Sequence, residues 1–181
     1  MANTASPIGF KYSACSLGQP LFFEIPRIPQ ATPYSYTSIL SDKDNRLFIT
    51  NDKDVYIYDG ANTQQVKVNG KPTLAFDGHD RIIIAGYNYL SLLTHNPSGG
   101  YTNNQLIDPS ANSFPHQITS IGFDDSKNIY LCTGSKLWRY SEKPIPIDSS
   151  NQIITIYTTS NGLVFYSVEK GFYCLNGNKP Q

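Results

Sequence analysis

Four stretches of the chain repeat one order of apolar and turn residues, and this repeat restricts the fold more than any other feature. The stretches align without gaps over residues 37–58, 72–93, 119–140 and 154–175. Aligned columns keep their chemistry, and the first apolar column holds Ile39, Leu74, Ile121 and Ile156. Because consecutive copies begin 35, 47 and 35 residues apart, each copy is one small supersecondary unit.

Each copy contains three short apolar runs, and the turns between the first two are rich in Asp, Asn, Gly and Ser. Such runs and turns are typical of antiparallel strands joined by hairpins. The middle runs are apolar at consecutive positions, which predicts strands buried on both faces; they read RLFIT, RIIIA, NIYLC and LVFYS. A fourth short run follows three of the copies, at 64–68, 104–108 and 144–148.

Four strands in every 35 to 47 residues predict an all-β fold of the β-propeller type. We expect four blades of three to four antiparallel strands, or a segment of a larger propeller. The approximate blades are 36–68, 72–108, 118–148 and 153–175.

The two ends of the chain leave the closure of the ring open. The last copy stops after its third run, and residues 20–27 resemble an outer strand that could complete the last blade. Residues 1–19 form a separate N-terminal segment in which 9–12 resemble a third strand. If that likeness holds, the chain starts and ends within a blade, and a larger propeller or a second copy would supply the missing strands.

The composition excludes several other classes of protein. With 39% hydrophobic residues, 13 Tyr and 9 Phe, the chain is too apolar to be disordered and is unlike a helical bundle. Its 14 basic and 14 acidic residues cancel, which argues against a nucleic-acid partner or a charged membrane surface. No apolar run approaches the about 20 residues of a membrane span. The N-terminus has no signal-peptide pattern, so we expect a cytoplasmic protein if the chain is complete and an extracytoplasmic one if it is part of a sensor.

Polar residues in the repeat are interpreted first as structural. Asp42, Asp77 and Asp124 share one turn position, where a carboxylate caps turn amides, and in separate blades they cannot converge on one metal ion. The three cysteines form no CxxC pair, and the three histidines form no metal-binding motif. We therefore predict no catalytic residue, no metal site and no cofactor.

The loops at one rim of the predicted propeller carry the candidate binding residues. Turns between second and third strands lie at the same end of the blades as the connections from one blade to the next, and function in such folds is carried by rim loops. That rim is polar, carries no net charge and includes an aromatic ring, which suits a protein or glycan partner. The candidates are Asn51, Asp52, Lys53, Tyr87, Asn88, His116, Ser135, Glu169 and Lys170.

The third copy, ITSIGFDDSKNIYLCTGSKLWRYS, resembles the repeat of two-component-regulator propellers, with NHL and gluconolactonase-like propellers as near alternatives. The matching residues are Ile118, Ile121, Asp124, Asp125, Tyr130, Thr133, Gly134, Leu137 and Tyr140. In the regulator family these propellers are extracytoplasmic sensor regions of longer proteins that recognise ligands, often glycans. The Trp that often begins the family's second strand is replaced here by Phe48, Ile83, Tyr130 and Phe165.

Three functions follow from this sequence. The first is a non-catalytic binding or scaffolding module for a protein partner, with self-association if the ring is incomplete. The second, implied by the resemblance, is a sensing domain for a glycan or small molecule. The third is a metal-dependent enzyme of the lactonase or lyase kind, whose axial ligands would come from Glu24, Asn51, Asp52, Asn88 and Glu169.

Overall fold

A computed structural model of the chain describes residues 36–77, 81–97, 100–148, 152–159, 162–176 and 179–180. The chain divides into two compact units, Met1–Gln30 and Ala31–Gln181, and all of these residues belong to the second unit. Within the described ranges the structure is almost entirely β, with one short 3₁₀ turn at Pro109–Ala111. The same residues contain no helix that is long and apolar enough to cross a membrane.

The first two blades are four-stranded antiparallel sheets with the simple order 1-2-3-4. Blade 1 consists of β1 (Ser38–Ser41), β2 (Leu47–Thr50), β3 (Asp54–Tyr58) and β4 (Thr63–Lys67). Blade 2 consists of β5 (Thr73–Phe76), β6 (Ile82–Gly86), β7 (Tyr89–His95) and β8 (Tyr101–Ile107).

The other two blades have the same strand order. Blade 3 consists of β9 (Ser120–Phe123), β10 (Ile129–Cys132), β11 (Leu137–Ser141) and β12 (Lys143–Asp148). Blade 4 consists of β13 (Ile153–Thr159), β14 (Gly162–Ser167), β15 (Gly171–Asn176) and β16 (Lys179–Pro180). The four sheets are arranged as a four-bladed β-propeller, so the predicted fold class is confirmed.

Apolar clusters fill three junctions between neighbouring blades. Phe48 and Val55 of blade 1 pack with Ile82 and Ile84 of blade 2. A second cluster joins blades 2 and 3, and a third joins blades 3 and 4. The strands β2, β6 and β10 are buried on both faces, as the consecutive apolar residues predict.

The fourth blade departs from the predicted burial. Its second strand, β14, alternates between buried and half-buried residues, with Leu163 and Phe165 facing blade 3. No buried apolar cluster joins blade 4 to blade 1 among the described residues. The prediction that LVFYS is buried on both faces is therefore wrong for this strand, because its outer face lacks a packed neighbour there.

The strand register also corrects the gap-free alignment of the fourth copy. Ile39, Leu74 and Ile121 each pair with the residue ten positions later, whereas Ile156 pairs with Phe165, nine positions later. A shift of one residue moves every side chain of a strand to its other face. Tyr166, not Ser167, therefore occupies the column that holds Thr50, Ala85 and Cys132 in the other blades.

The last blade has a fourth strand of its own. We expected the last copy to end after its third strand, but β16 pairs with the end of β15 through Leu175 and Asn176. The segments 1–19 and 20–27 lie outside the described residues, so the closure by residues 20–27 stays a prediction.

The repeated aspartate closes the turn between the first and second strands of a blade. The Oδ1 atoms of Asp42, Asp77 and Asp124 accept hydrogen bonds of 2.8–3.0 Å from the backbone N–H four residues later. The second carboxylate oxygen of Asp124 accepts hydrogen bonds from Asn128 Nδ2 (2.8 Å) and the Tyr130 hydroxyl (3.1 Å). These carboxylates are capping groups, which supports the structural interpretation of the repeated position.

The Asp124→Ala substitution should destabilise the protein, because it leaves the amide of Asn128 and the Tyr130 hydroxyl without their acceptor. We expect a loss of about 1–3 kcal/mol, measured as the free energy of unfolding in urea. The matched control is Asp125→Ala, since Asp125 is the exposed neighbouring residue, and its effect should stay within about 0.5 kcal/mol. Equal losses for both variants would contradict the capping role.

Candidate binding cleft

The strand order places the predicted binding residues at one end of the blades, here called the upper rim. It carries the turns at 51–53, 87–88, 133–136 and 168–170 and the connections between blades. The opposite end, the lower rim, carries the turns at 42–46, 59–62 and 124–128. At the junction of blades 1 and 2 a cleft opens at the upper rim and another opens at the lower rim.

The upper cleft has a volume of about 920 Å³ and contains three of the predicted residues, Asp52, Lys53 and Tyr87. The side chains of both blades and of the connections line it. The other lining residues are Asp54, Gln65, Lys67, Val68, Gly70, Lys71 and Gln117.

Hydrogen bonds between three chain segments build the floor of the upper cleft. The Gln117 amide donates to Lys71 O (2.8 Å), and its Oε1 accepts from Lys71 N (3.2 Å). Tyr87 N donates to Asn69 O (2.6 Å), and Asn69 Nδ2 donates to Tyr87 O (2.9 Å). Paired bonds in both directions hold these segments at a fixed distance, so the floor of the cleft is rigid.

Gly70 is required at the centre of this floor. Its φ of +79° is unfavourable for other residues. A Cβ atom there would lie 2.6 Å from both Tyr87 Cβ and Gln117 Oε1. The close packing of the connection against blade 2 therefore depends on the missing side chain.

The cleft combines charges of both signs with one exposed aromatic ring. Tyr87 is 43% exposed although it follows the fully buried strand β6. Three lysines and two aspartates line the walls, so both anionic and cationic groups of a ligand would find a partner. An exposed tyrosine surrounded by polar groups is a common anchor for a binding partner.

Two of the predicted residues have structural roles. Asn51 is buried, and its Oδ1 accepts hydrogen bonds from Lys53 N (2.8 Å) and Asp54 N (2.7 Å). Asn88 is buried with φ +48°, and its amide joins Phe114 N (2.7 Å) and Pro109 O (2.8 Å). Because these amide oxygens already cap backbone groups, they are poorly suited to hold a metal ion. Glu24, another candidate axial ligand, lies outside the described residues.

The remaining predicted residues lie in other parts of the upper rim. The His116 ring packs 4.9 Å from Phe114 and 5.5 Å from Trp138, measured between ring centroids. Ser135 is exposed in the turn of blade 3, and Glu169 and Lys170 are exposed in the turn of blade 4. None of these four lines the cleft. In the described part of the chain, no three His, Cys, Asp or Glu residues cluster as metal ligands.

Sequence reasoning missed cleft residues that belong to strands or to the end of a connection. Gln65 and Lys67 flank the buried Val66 on β4, and this alternation could have identified them as an outward-facing pair. Gln117 follows the loop segment that carries His116, but only its contact with Lys71 reveals its place.

The lower cleft, about 650 Å³, contains a polar network that joins blades 1 and 2. The Tyr101 hydroxyl donates to Asp42 Oδ2 (2.5 Å), and Arg46 Nη1 donates to the same hydroxyl (2.9 Å). Arg46 also lies 3.2 Å from Asp42 and 3.1 Å from His95 Nε2. The network ties the first turn of blade 1 to the outer strand of blade 2.

This network shifts the pKa values of its acidic groups in opposite directions. Burial alone raises the pKa of Asp42, but hydrogen bonds from Tyr101, Arg46 and Asp44 and the charge of Arg46 outweigh burial and lower the pKa below 3.8. Burial and the hydrogen bond to Asp42 raise the pKa of Tyr101 to about 12.

No protein-family model matches this chain, and no curated protein sequence matches it. The solved structures that are similar in fold include the following three. The extracellular domain of a hybrid two-component system from B. thetaiotaomicron has a TM-score of 0.56 at 17% identity, over 76% of this chain and 21% of that structure. A protein of unknown function from Bacteroides caccae has a TM-score of 0.54 at 13% identity, over 80% of this chain and 58% of the other.

The third is virginiamycin B lyase from Staphylococcus aureus, with a TM-score of 0.56 at 13% identity over 83% of this chain and 56% of the lyase. In each comparison this chain spans less than two thirds of the matched structure. These likenesses show a propeller repeat protein and leave its ligand open.

The lowered pKa of Asp42 predicts an acid-sensitive contribution to stability. Stability from a carboxylate with a depressed pKa is fully present above the unfolded value of about 3.9 and is lost as pH falls through the folded value. We expect Asp42→Asn to be about 1 kcal/mol less stable than wild type near pH 6, with the difference shrinking toward pH 3. The free energy of unfolding of both proteins is measured in urea at each pH. The control is Asp44→Asn, because Asp44 is exposed and also pairs with Arg46. If the stability difference between Asp42→Asn and wild type does not change with pH, the lowered pKa of Asp42 is contradicted.

Proposed function

We propose that this protein is a non-catalytic binding module whose upper cleft holds an extended polar segment of a protein partner. The observation that carries the proposal is the cleft itself, in which the exposed ring of Tyr87 stands among charges of both signs. Asp52, Lys53 and Lys71 would pair with opposite charges of the partner.

The size and charge of the cleft support a chain-like ligand. Its volume of about 920 Å³ lies at the upper end of the roughly 300–1,000 Å³ typical of ligand sites. Two carboxylates beside three ammonium groups match a peptide, which carries both signs, better than a polyanion, which carries one. The hydrogen-bonded floor lowers the entropic cost of binding because little of it has to become ordered.

A second candidate function is the sensing of a glycan or small molecule. The fold likeness to the extracellular domain of a two-component system favours it. In the cleft, the Tyr87 ring would stack on a sugar face while the Gln65 side-chain amide donates a hydrogen bond to one of its hydroxyl groups. The fold likeness to a lyase gives the enzyme alternative no further support, because Asn51 and Asn88 already cap backbone groups.

A selection from random peptides, run in parallel with a glycan array, tests the proposal. Peptides selected on the wild-type protein should lose at least about 10-fold in affinity for Tyr87→Ala, because the variant removes the central anchor. Lys71→Glu should weaken the peptides that carry acidic residues. Binding is measured by titration of labelled peptide.

The matched control is Tyr36→Ala, since Tyr36 is 48% exposed and does not line the cleft. It should bind the selected peptides as the wild type does. If no selected peptide depends on Tyr87 while a glycan does, the sensing function replaces the peptide-binding one. If neither depends on Tyr87, the cleft is not the binding site.

A further inference from the structure

The exposed apolar side chains of the described residues are concentrated on blade 4. Phe172 is 68% exposed and Tyr157 is 49% exposed. The Phe172 ring lies 5.0 Å from that of Tyr166 and 6.3 Å from that of Tyr157, so the three rings form one continuous patch. Val164 and Cys174 pair with each other across β14 and β15 on the same face. We call these five residues the blade-4 face.

The blade-4 face corresponds to the surface that blades 1 to 3 bury against their next neighbour. The residues at the position of Phe172 are Val55, Leu90 and Leu137, and all three are fully buried. They belong to the three clusters that join one blade to the next. The blade-4 face is thus a junction surface without a described partner.

The residues of this face are bulkier than those at two of the three other junctions. Leu40, Ala75 and Gly122 stand at the position of Tyr157. A Cβ atom on Gly122 would lie 2.5 Å from Ile156 and 2.7 Å from Leu163, so blade 4 approaches blade 3 directly over a missing side chain. Tyr166 likewise stands where the other blades hold the smaller Thr50, Ala85 and Cys132. A further blade that approached blade 4 as closely as blade 4 approaches blade 3 would collide with Tyr157.

The opposite face of blade 1 does not offer a matching surface. Although Ile39 on β1 is exposed, Ile49 and Tyr56 of the next two strands are 7% and 1% exposed. A head-to-tail contact between copies would need this face to be open. The blade-4 face carries no charged side chain, so two identical faces can approach without repulsion.

We propose that the blade-4 face binds the blade-4 face of a second copy of this chain, across a two-fold axis. A contact of this kind is self-complementary and closes after two subunits. The exposed parts of the five side chains amount to roughly a few hundred Å² per copy, the size of a functional apolar patch and of a weak, reversible interface. The dimer should therefore form as protein concentration rises.

Sedimentation and light scattering of the full chain, from about 1 µM to about 500 µM, test the proposal. The wild type should move from 20.2 kDa toward twice that mass. Phe172→Asp should weaken dimerisation by at least about 30-fold, because it places a carboxylate in both halves of the interface. The control is Ile145→Asp, since Ile145 is 38% exposed on blade 3, and it should dimerise as the wild type does.

Alkylation of Cys174 gives a readout that does not depend on mass. Cys174 is exposed and Cys132 is buried, so in a Cys15→Ser background the maleimide rate reports on the blade-4 face. The rate should fall as the wild type dimerises and stay constant for Phe172→Asp. A monomer at all concentrations overturns the proposal, whether Cys174 is reactive or is protected by the same chain. A dimer that Phe172→Asp leaves intact also overturns it.

Discussion

The structure depends on the burial of the second strand of each inner blade between two neighbouring sheets. In β6 and β10 consecutive apolar residues face opposite neighbours, and the residues of both strands are all buried. Such a strand cannot be stable in an isolated hairpin, because half of its apolar surface would remain in water. Each blade therefore needs its neighbours, and the propeller is stabilised at its junctions more than within its sheets.

This dependence explains how the polar residues are distributed. The junction of blades 1 and 2 is apolar in its middle and polar at both ends. At one end the Arg46 network connects the two blades, and at the other the Gln117–Lys71 pair connects the segments that follow them. These hydrogen bonds satisfy groups that the apolar cluster between them could not. The two clefts lie at these ends.

The repeat in the sequence was sufficient to predict the fold class, the strand order and the capping aspartates, because each depends on local residues or on regular spacing. It did not predict the one-residue shift at β14. In blade 1 five residues lie between the first two strands, whereas in blade 4 only two residues lie between them. Only the strand pairing shows which face each residue of LVFYS takes after this change. The cleft was predicted only in part, since the spacing of the repeat placed Asp52, Lys53 and Tyr87 on the rim that carries it. Asn51 and Asn88, predicted as binding residues, instead cap backbone groups, a role that depends on backbone contacts.

The outer face of blade 4 differs from the corresponding faces of the first three blades. A blade with the residues of the first three on its outer face would leave an apolar surface ready to accept any similar blade, which favours uncontrolled head-to-tail association. Tyr157 stands where the other blades hold Leu40, Ala75 and Gly122, and Tyr166 stands where they hold Thr50, Ala85 and Cys132. Both rings are bulkier than most of these residues, so a further blade could not approach blade 4 as closely as blade 4 approaches Gly122 of blade 3. The shift at β14 brings Tyr166 to this face through two compensating changes in turn length. Relative to the other blades, β14 comes one residue earlier after β13, and β15 comes one residue later after β14, so the lengths of both turns determine which side chains face outward.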